Sequence, residues 1–271
     1  MAKEFKYTLS SFQMIIIGFA GIILLGTLLL MLPFSTQSGT ATSFFDALFT
    51  ATSAVCVTGL VVQDTATYWS YFGQFVILLL IQIGGMGVVT VASAFALLSG
   101  RKLSFSQRNI MQEALSAPQI GGIVKLTRFV IIGTFLFEIL GALVMMPVFC
   151  KDFGIKGIWM AIFHSISAFC NAGFDLLGIN AKYSSLTNYI ANPVINITIM
   201  LLIVIGGIGF LTWSDILKNR HRISEYCMQS KVILSTTLAL ILIPTMYFFL
   251  IEFSDMPLKE RVFASFFQAI T

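Results

Sequence analysis

Two short segments of the chain each place a glycine directly after an apolar stretch that is too short to cross a membrane. Gly59 follows Cys56-Val57-Thr58, and Gly173 follows Cys170-Asn171-Ala172. Glycine admits backbone angles that a Cβ would forbid, and it allows the chain to come close to a central axis. A ring of main-chain carbonyl oxygens can replace the water around a monovalent cation. The chemistry that these residues support is therefore cation coordination by the backbone.

The apolar stretches before the two glycines, residues 44–55 and 158–169, predict short helices. A helix of this length covers about 18 Å, which is roughly half of a membrane. Its C-terminal end carries roughly half a negative charge, which favours a cation. Irregular backbone at membrane depth is tolerated only where protein buries it or where it lines a water-filled cavity. We therefore predict two half-helices, each followed by an extended strand inside the membrane.

The two segments belong to an internal repeat. Gly173 follows Gly59 by 114 positions, and the residues around the two glycines align without a gap. An Ile-Gly-Gly-x-Gly sequence then occurs at 83–87 and again at 205–209, 122 positions later. Residues 267–271 match residues 163–167 of the second half-helix stretch at an offset of 104, which indicates a third copy. Repeats of this kind determine a fold, so we predict units of span, half-helix, strand and span.

The composition of the chain is that of a membrane protein. Of its 271 residues, 57% are hydrophobic and 10% are charged, and the mean hydropathy is +0.92. Soluble domains average about 45–50% apolar and about 25% charged residues. A cytosolic enzyme, a disordered protein and a secreted disulfide scaffold are therefore excluded, and a net charge of +4 gives no support for nucleic-acid binding. No HExxH, GxSxG or paired acidic motif suggests a membrane-embedded enzyme.

Five stretches are apolar and long enough to span a bilayer, which takes about 20 residues. They are 14–32, 72–98, 129–149, 194–213 and 232–251. If the N-terminus lies inside, the inner segments hold 11 of the 16 Lys and Arg residues. The excess of positive charge in inner loops therefore predicts a cytoplasmic N-terminus.

The predicted fold is an all-α polytopic membrane protein, and its repeats divide the chain into four parts. Residues 1–100 form the first complete repeat and 129–218 the second, with a cytoplasmic loop at 101–128 between them. Residues 219–271 supply a span and the beginning of a half-helix. We expect the chain to end inside this third repeat.

The glycine segments and the paired Ile-Gly-Gly-x-Gly helices resemble the Trk/Ktr/HKT superfamily, and most closely the membrane subunit of a bacterial Ktr potassium uptake system. The resemblance covers residues 12–271 and implies four such units in one chain, with one filter glycine in each. It also implies K⁺ uptake through a pseudo-fourfold pore. The filter residues that it implies are Cys56, Val57, Thr58, Gly59, Leu60, Cys170, Asn171, Ala172, Gly173 and Phe174. Those whose carbonyls would bind K⁺ are Val57, Thr58, Gly59, Asn171, Ala172 and Gly173.

The same resemblance implies partners and a location. It implies a homodimer of membrane subunits in the bacterial plasma membrane, resting on a cytosolic nucleotide-binding regulatory ring. K⁺ is the transported ion, uptake is expected to depend on Na⁺, and no cofactor is expected in this chain. The family's gate, in the second span of the third unit, would lie after residue 271. The alternative is a secondary cation transporter with alternating access, which inverted repeats would support; here successive units keep one orientation, which favours a pore.

Several further residues have two interpretations. Glu138 lies within a span and is either a functional ionisable group or a structural one paired with a cation. Asp46 suits the N-terminal end of its half-helix as a cap, and His164 is interpreted as a polar anchor. The glycines of the repeated Ile-Gly-Gly-x-Gly sequence favour close helix packing over hinges. The basic residues of the 101–128 loop either contact lipid headgroups or bind the regulatory ring; they are Arg101, Lys102, Arg108, Lys125 and Arg128.

Overall fold

The computed structural model describes residues 10–87, 90–91, 110–113, 122–179 and 181–271. Ten helices are named within these ranges: α1 (Ser11–Leu30), α2 (Phe44–Val55), α3 (Thr65–Tyr68), α4 (Tyr71–Met86), α5 (Ile123–Phe153), α6 (Lys156–Phe169), α7 (Pro193–Ile208), α8 (Phe210–Asn219), α9 (Met228–Tyr247) and α10 (Leu258–Ile270). A π-helical turn at Phe248–Glu252 continues α9. The described part contains no β-strand, so the predicted all-α class is confirmed.

Three described helices are long and apolar enough to cross a membrane. They are α1, α5 and α9, with spans at Phe12–Leu30, Val124–Phe153 and Met228–Glu252. The helices α2 and α4 are apolar but shorter. Lys125 and Arg128 lie in the first turns of α5 rather than in a loop, while residues 101–109 of the predicted loop, with Arg101, Lys102 and Arg108, lie outside the described residues.

The prediction of one continuous span over 194–213 is wrong. The helices α7 and α8 meet at an angle of 91°. Gly209 separates them with a φ of +87°, a backbone angle that an α-helix cannot contain. Gly87 ends α4 in the same way with a φ of +81°, and the rest of the predicted 72–98 span falls partly outside the described residues. The third glycine of each Ile-Gly-Gly-x-Gly sequence therefore ends a helix.

The long helices form two similar groups around the short ones. In the first group α2 contacts both α1 and α4, and in the second α6 contacts both α5 and α7. Corresponding glycines make the close approach in each: a Cβ on Gly26 would overlap the side chain of Leu80, and one on Gly141 would overlap that of Leu202. The helices α4 and α6 join the two groups.

The Ile-Gly-Gly-x-Gly sequences bring the next helix against the end of each half-helix. A Cβ on Gly84 would collide with the carbonyl oxygen of Val55, and one on Gly206 with that of Phe169. Val55 and Phe169 are the last residues of α2 and α6. The interpretation of these glycines as packing residues is therefore confirmed for Gly84 and Gly206.

Replacing Gly84 or Gly206 by alanine should destabilise the protein, because the obstacle is a backbone carbonyl that cannot rotate away. Overpacking of this kind costs about 1–3 kcal/mol, and the thermal unfolding temperature in detergent measures it. Gly133→Ala is the matched control, since a Cβ there meets nothing within 4 Å. If the Gly84 and Gly206 variants unfold at the wild-type temperature, as the control is expected to, these glycines do not lie against the ends of the half-helices in the protein.

Candidate functional site

The two segments that follow the half-helices lie in contact with each other. We call residues 56–60 the first glycine segment and residues 170–174 the second glycine segment. A Cβ on Gly59 would lie 2.6 Å from the carbonyl oxygen of Ala172 and 3.1 Å from the Cα of Gly173. A Cβ on Gly173 would in turn lie 3.3 Å from the Cα of Gly59. Tertiary structure thus brings together two glycines that are 114 positions apart.

The backbone of the two glycine segments follows the same unusual path. Val57 and Asn171 both have a φ of 58°, although neither is a glycine. Two positions later Gly59 and Gly173 have φ values of 75° and 72°. The residue between each pair is not in the positive-φ region. The left-handed region therefore alternates with ordinary backbone in both segments, at corresponding positions.

The first three N–H groups of each glycine segment donate to carbonyls of the preceding half-helix. Thr58 N–H donates to the carbonyl of Ser53 at 2.9 Å, and Ala172 N–H donates to the carbonyl of Ser167 at 2.7 Å. The two residues before each donate to the last turn of the half-helix in the same pattern. No hydrogen bond within the described part of the chain uses the carbonyl oxygens of residues 57–59 or 171–173. The acceptors are thus left free, while the N–H groups of residues 56–58 and 170–172 are bound.

Two serines that the sequence analysis did not single out support these segments. The Ser167 hydroxyl donates to the carbonyl of Phe174 at 2.6 Å and so holds the end of the second glycine segment. Its counterpart Ser53 accepts from the Thr58 hydroxyl at 2.9 Å. The alignment of the two copies, which are 114 positions apart, pairs these serines, so the sequence could have indicated a shared role for them. The two segments end differently, since Phe174 is buried whereas Leu60 is exposed.

His164 anchors the chain beyond the second glycine segment. Its Nε2 accepts from the N–H of Leu176 at 3.3 Å, so Nδ1 carries the proton and donates to the carbonyl of Met160 at 2.7 Å. The ring also packs against Phe149, with centroids 5.2 Å apart. The prediction of a polar anchor on the half-helix is confirmed.

The N-terminal cap of α2 is Ser43 rather than Asp46, so the prediction of Asp46 as the cap is wrong. The Ser43 hydroxyl accepts from the N–H of Asp46 at 3.2 Å. Asp46 lies in the first turn, where its carboxylate still suits the positive end of the helix dipole. It accepts a long hydrogen bond of 3.5 Å from the side-chain amide of Gln63.

Glu138 lies next to Cys170 of the second glycine segment and is only 3% exposed. Its Oε1 accepts from the Gln82 side-chain amide at 2.8 Å and lies 4.0 Å from the Cys170 thiol. Glu138 Oε2 and Gln82 Oε1 have no hydrogen-bond partner in the described part of the chain. The structural interpretation of Glu138 had a cation as its partner; the structure has the amide of Gln82 in that place, and the pair joins α4 to α5.

Replacing Gln82 by leucine should lower stability, because the Glu138 carboxyl would lose its donor while staying buried. An unsatisfied buried group costs about 1–3 kcal/mol, measurable as a lower unfolding temperature in detergent. The double variant Gln82→Leu with Glu138→Leu should recover most of that loss, since replacing both partners by apolar groups is nearly neutral. A double variant as unstable as the single one would contradict this account of the pair.

The described helices define an all-α membrane protein that crosses the bilayer several times and carries short helices ending on glycine segments between its longer ones. A family model for TrkH, described as cation transport protein, matches residues 3–271. The chain therefore belongs to the TrkH family of cation transport proteins, and the membership predicted from the glycine motifs is confirmed.

Curated relatives have names that fit this family. The chain is 41% identical to the potassium/sodium uptake protein NtpJ of Enterococcus hirae, over 100% of this chain and 60% of the relative. It is 39% identical to the Ktr system potassium uptake protein B of Bacillus subtilis, over 96% of this chain and 58% of the relative. With the Ktr system potassium uptake protein D of Bacillus subtilis, identity is 30% over 96% of this chain and 59% of the relative. The chain thus spans less than two thirds of the length of these relatives.

Proposed function

We propose that the full protein takes up K⁺ across the bacterial plasma membrane through a pore, and that the two glycine segments form part of its selectivity filter. The observation that carries this proposal is the set of six carbonyl oxygens at residues 57–59 and 171–173 that no described group binds. The names of the relatives, potassium/sodium uptake protein and Ktr potassium uptake proteins, support the choice of ion.

The backbone path suits this role for a physical reason. In an ordinary strand successive peptide units face opposite sides, so only every second carbonyl would point at an ion. Alternation between left-handed and ordinary φ turns successive units to one side, as at Val57 and Gly59 and again at Asn171 and Gly173. Several carbonyls of one segment can then replace water around the same line of ions.

The half-helices supply a second interaction that favours a cation, through their dipoles. α2 and α6 end at Val55 and Phe169, directly before the glycine segments. Each C-terminal end carries roughly half a negative charge from the aligned peptide dipoles. Because little water screens this charge at membrane depth, it attracts a cation more strongly than it would at a protein surface.

The assembly around the pore is also proposed. We assign the filter to residues 56–60 and 170–174, with further units completing a pseudo-fourfold ring, and we place the N-terminus in the cytoplasm. The name potassium/sodium uptake protein supports Na⁺ as a coupling or second transported ion. The name Ktr system supports additional components, for which we propose a second membrane subunit and a cytosolic nucleotide-binding ring.

Gly59→Ser and Gly173→Ser in the full-length protein should each weaken discrimination of K⁺ from Na⁺. A side chain in the left-handed region costs about 1–2 kcal/mol, so we expect the K⁺ to Na⁺ uptake ratio to fall by about tenfold. At Gly59 the added Cβ also meets the carbonyl of Ala172. Uptake of the two ions by a bacterial strain that lacks its own K⁺ uptake systems measures this ratio.

Gly39→Ser provides the matched control for these variants. Gly39 has a φ of +71°, similar to that of Gly59, but a Cβ there meets nothing within 4 Å. It should carry the same backbone strain and leave the uptake ratio unchanged. If both filter variants keep the wild-type K⁺ affinity and ratio, the filter assignment is wrong.

A further inference from the structure

The chains that leave the two glycine segments remain side by side. Asp64 follows Gly59 by five positions, and Gly178 follows Gly173 by five. These corresponding residues meet, since a Cβ on Gly178 would overlap the carboxylate of Asp64. Gly59 and Gly173 are also in contact, so the two copies touch at both ends of this stretch. Only one of the two positions has room for a side chain, and Asp64 provides it.

The Asp64 carboxylate bonds to both copies of the repeat. It is only 6% exposed, and its Oδ2 accepts from the N–H and the hydroxyl of Thr67, at 2.9 and 2.7 Å. Its Oδ1 accepts from the N–H of Tyr183 at 3.1 Å, 119 positions away. The Tyr183 hydroxyl then donates to the carbonyl of Val62 at 3.1 Å. We call Val62, Asp64, Gly178 and Tyr183 the loop clasp.

After Gly59 the first glycine segment has few hydrogen bonds besides those of the loop clasp. The corresponding end of the second segment is held by the Ser167 hydroxyl, which bonds Phe174, and by His164, which bonds Leu176. In the first copy Leu60 is exposed. Apart from the loop clasp, the one side-chain hydrogen bond to residues 60–63 in the described part of the chain is the 3.5 Å contact from Gln63 to Asp46. Ser53 holds Thr58 near the start of the first segment, so it is the far end of that segment that depends on the loop clasp.

We infer that Asp64 is a positioning residue for the proposed filter: the loop clasp holds the far end of the first glycine segment against the second and thereby sets discrimination of K⁺ from Na⁺. This inference rests on the proposed function. Main-chain carbonyls can choose between two ions only while their spacing is maintained, because a ring that closes or opens suits a different ion. Asp64 contributes no oxygen to the ion; it acts through the backbone that it holds.

The test compares three variants of the full-length protein by K⁺ and Na⁺ uptake in the same deficient strain. Asp64→Ala removes every clasp bond to the carboxylate, and we expect the uptake ratio to fall by about tenfold, equivalent to about 1.4 kcal/mol. Tyr183→Phe removes only the hydroxyl bond to Val62 and should shift the ratio in the same direction by a smaller factor. Thr67→Val is the control: it removes a bond to Asp64 within the first copy and should leave the ratio unchanged.

A purely structural role for Asp64 makes a different prediction. It would lower the unfolding temperature and the uptake of both ions together, with an unchanged ratio in Asp64→Ala and Tyr183→Phe, and that result overturns the inference. An equal change in Thr67→Val would overturn it as well. Should Asp64→Ala fail to fold, the ratio in Tyr183→Phe decides. If the wild-type protein itself shows no preference for K⁺, the proposed function fails, a result that is separate from any comparison among the variants.

Discussion

The requirement that backbone polar groups find partners at membrane depth governs this structure more than any side chain does. A segment that is not helical must satisfy its N–H groups or remain costly to bury. Here Thr58 and Ala172 donate back to the serines of their half-helices, at 2.9 and 2.7 Å. With these two donors bound, the carbonyl oxygens of the segments are left for another partner, and a desolvated cation is the partner that such oxygens suit. Gly84 and Gly206 serve the same purpose, since they allow the next helix to pack on the half-helix ends.

The two copies preserve their backbone geometry and differ in their side chains. The φ values of 58° at Val57 and Asn171 agree, as do the contacts of Gly26 with Leu80 and of Gly141 with Leu202. Three polar side chains, by contrast, have an apolar residue or a glycine at the corresponding position. Glu138 corresponds to Ile23 by the alignment of these glycines, and Gln82 corresponds to Val204. Asp64 likewise corresponds to Gly178. The geometry that the proposed filter needs is therefore repeated, while Glu138, Gln82 and Asp64, which support it, each occur in one copy alone.

This asymmetry has a physical consequence for the proposed pore, whose repeats belong to one chain. Four identical subunits would place the same support behind every filter segment, whereas a chain with diverged copies can hold each segment differently. The second glycine segment is supported by Ser167, His164 and the buried pair of Glu138 with Gln82. The first is bonded to Ser53 through Thr58, and its far end depends on the Asp64 carboxylate, which reaches across to the other copy. A substitution at corresponding positions is thus expected to have unequal effects.

The sequence by itself determined the fold class, the position of the half-helices and the family, because composition, apolar length and glycine spacing are local properties. It also indicated the anchoring role of His164. It did not reveal the 91° bend at Gly209. An apolar run predicts one span whether or not a glycine within it adopts a positive φ, and the sequence does not show that φ. The sequence favours Asp46 as the cap of α2, whereas the structure has Ser43, because the choice depends on which side-chain oxygen meets a free N–H. The amide partner of Glu138 and the clasp from Asp64 to Tyr183 join residues 56 and 119 positions apart. Only the packing of one copy of the repeat on the other decides such contacts, because no local pattern specifies which distant donor reaches a buried carboxylate.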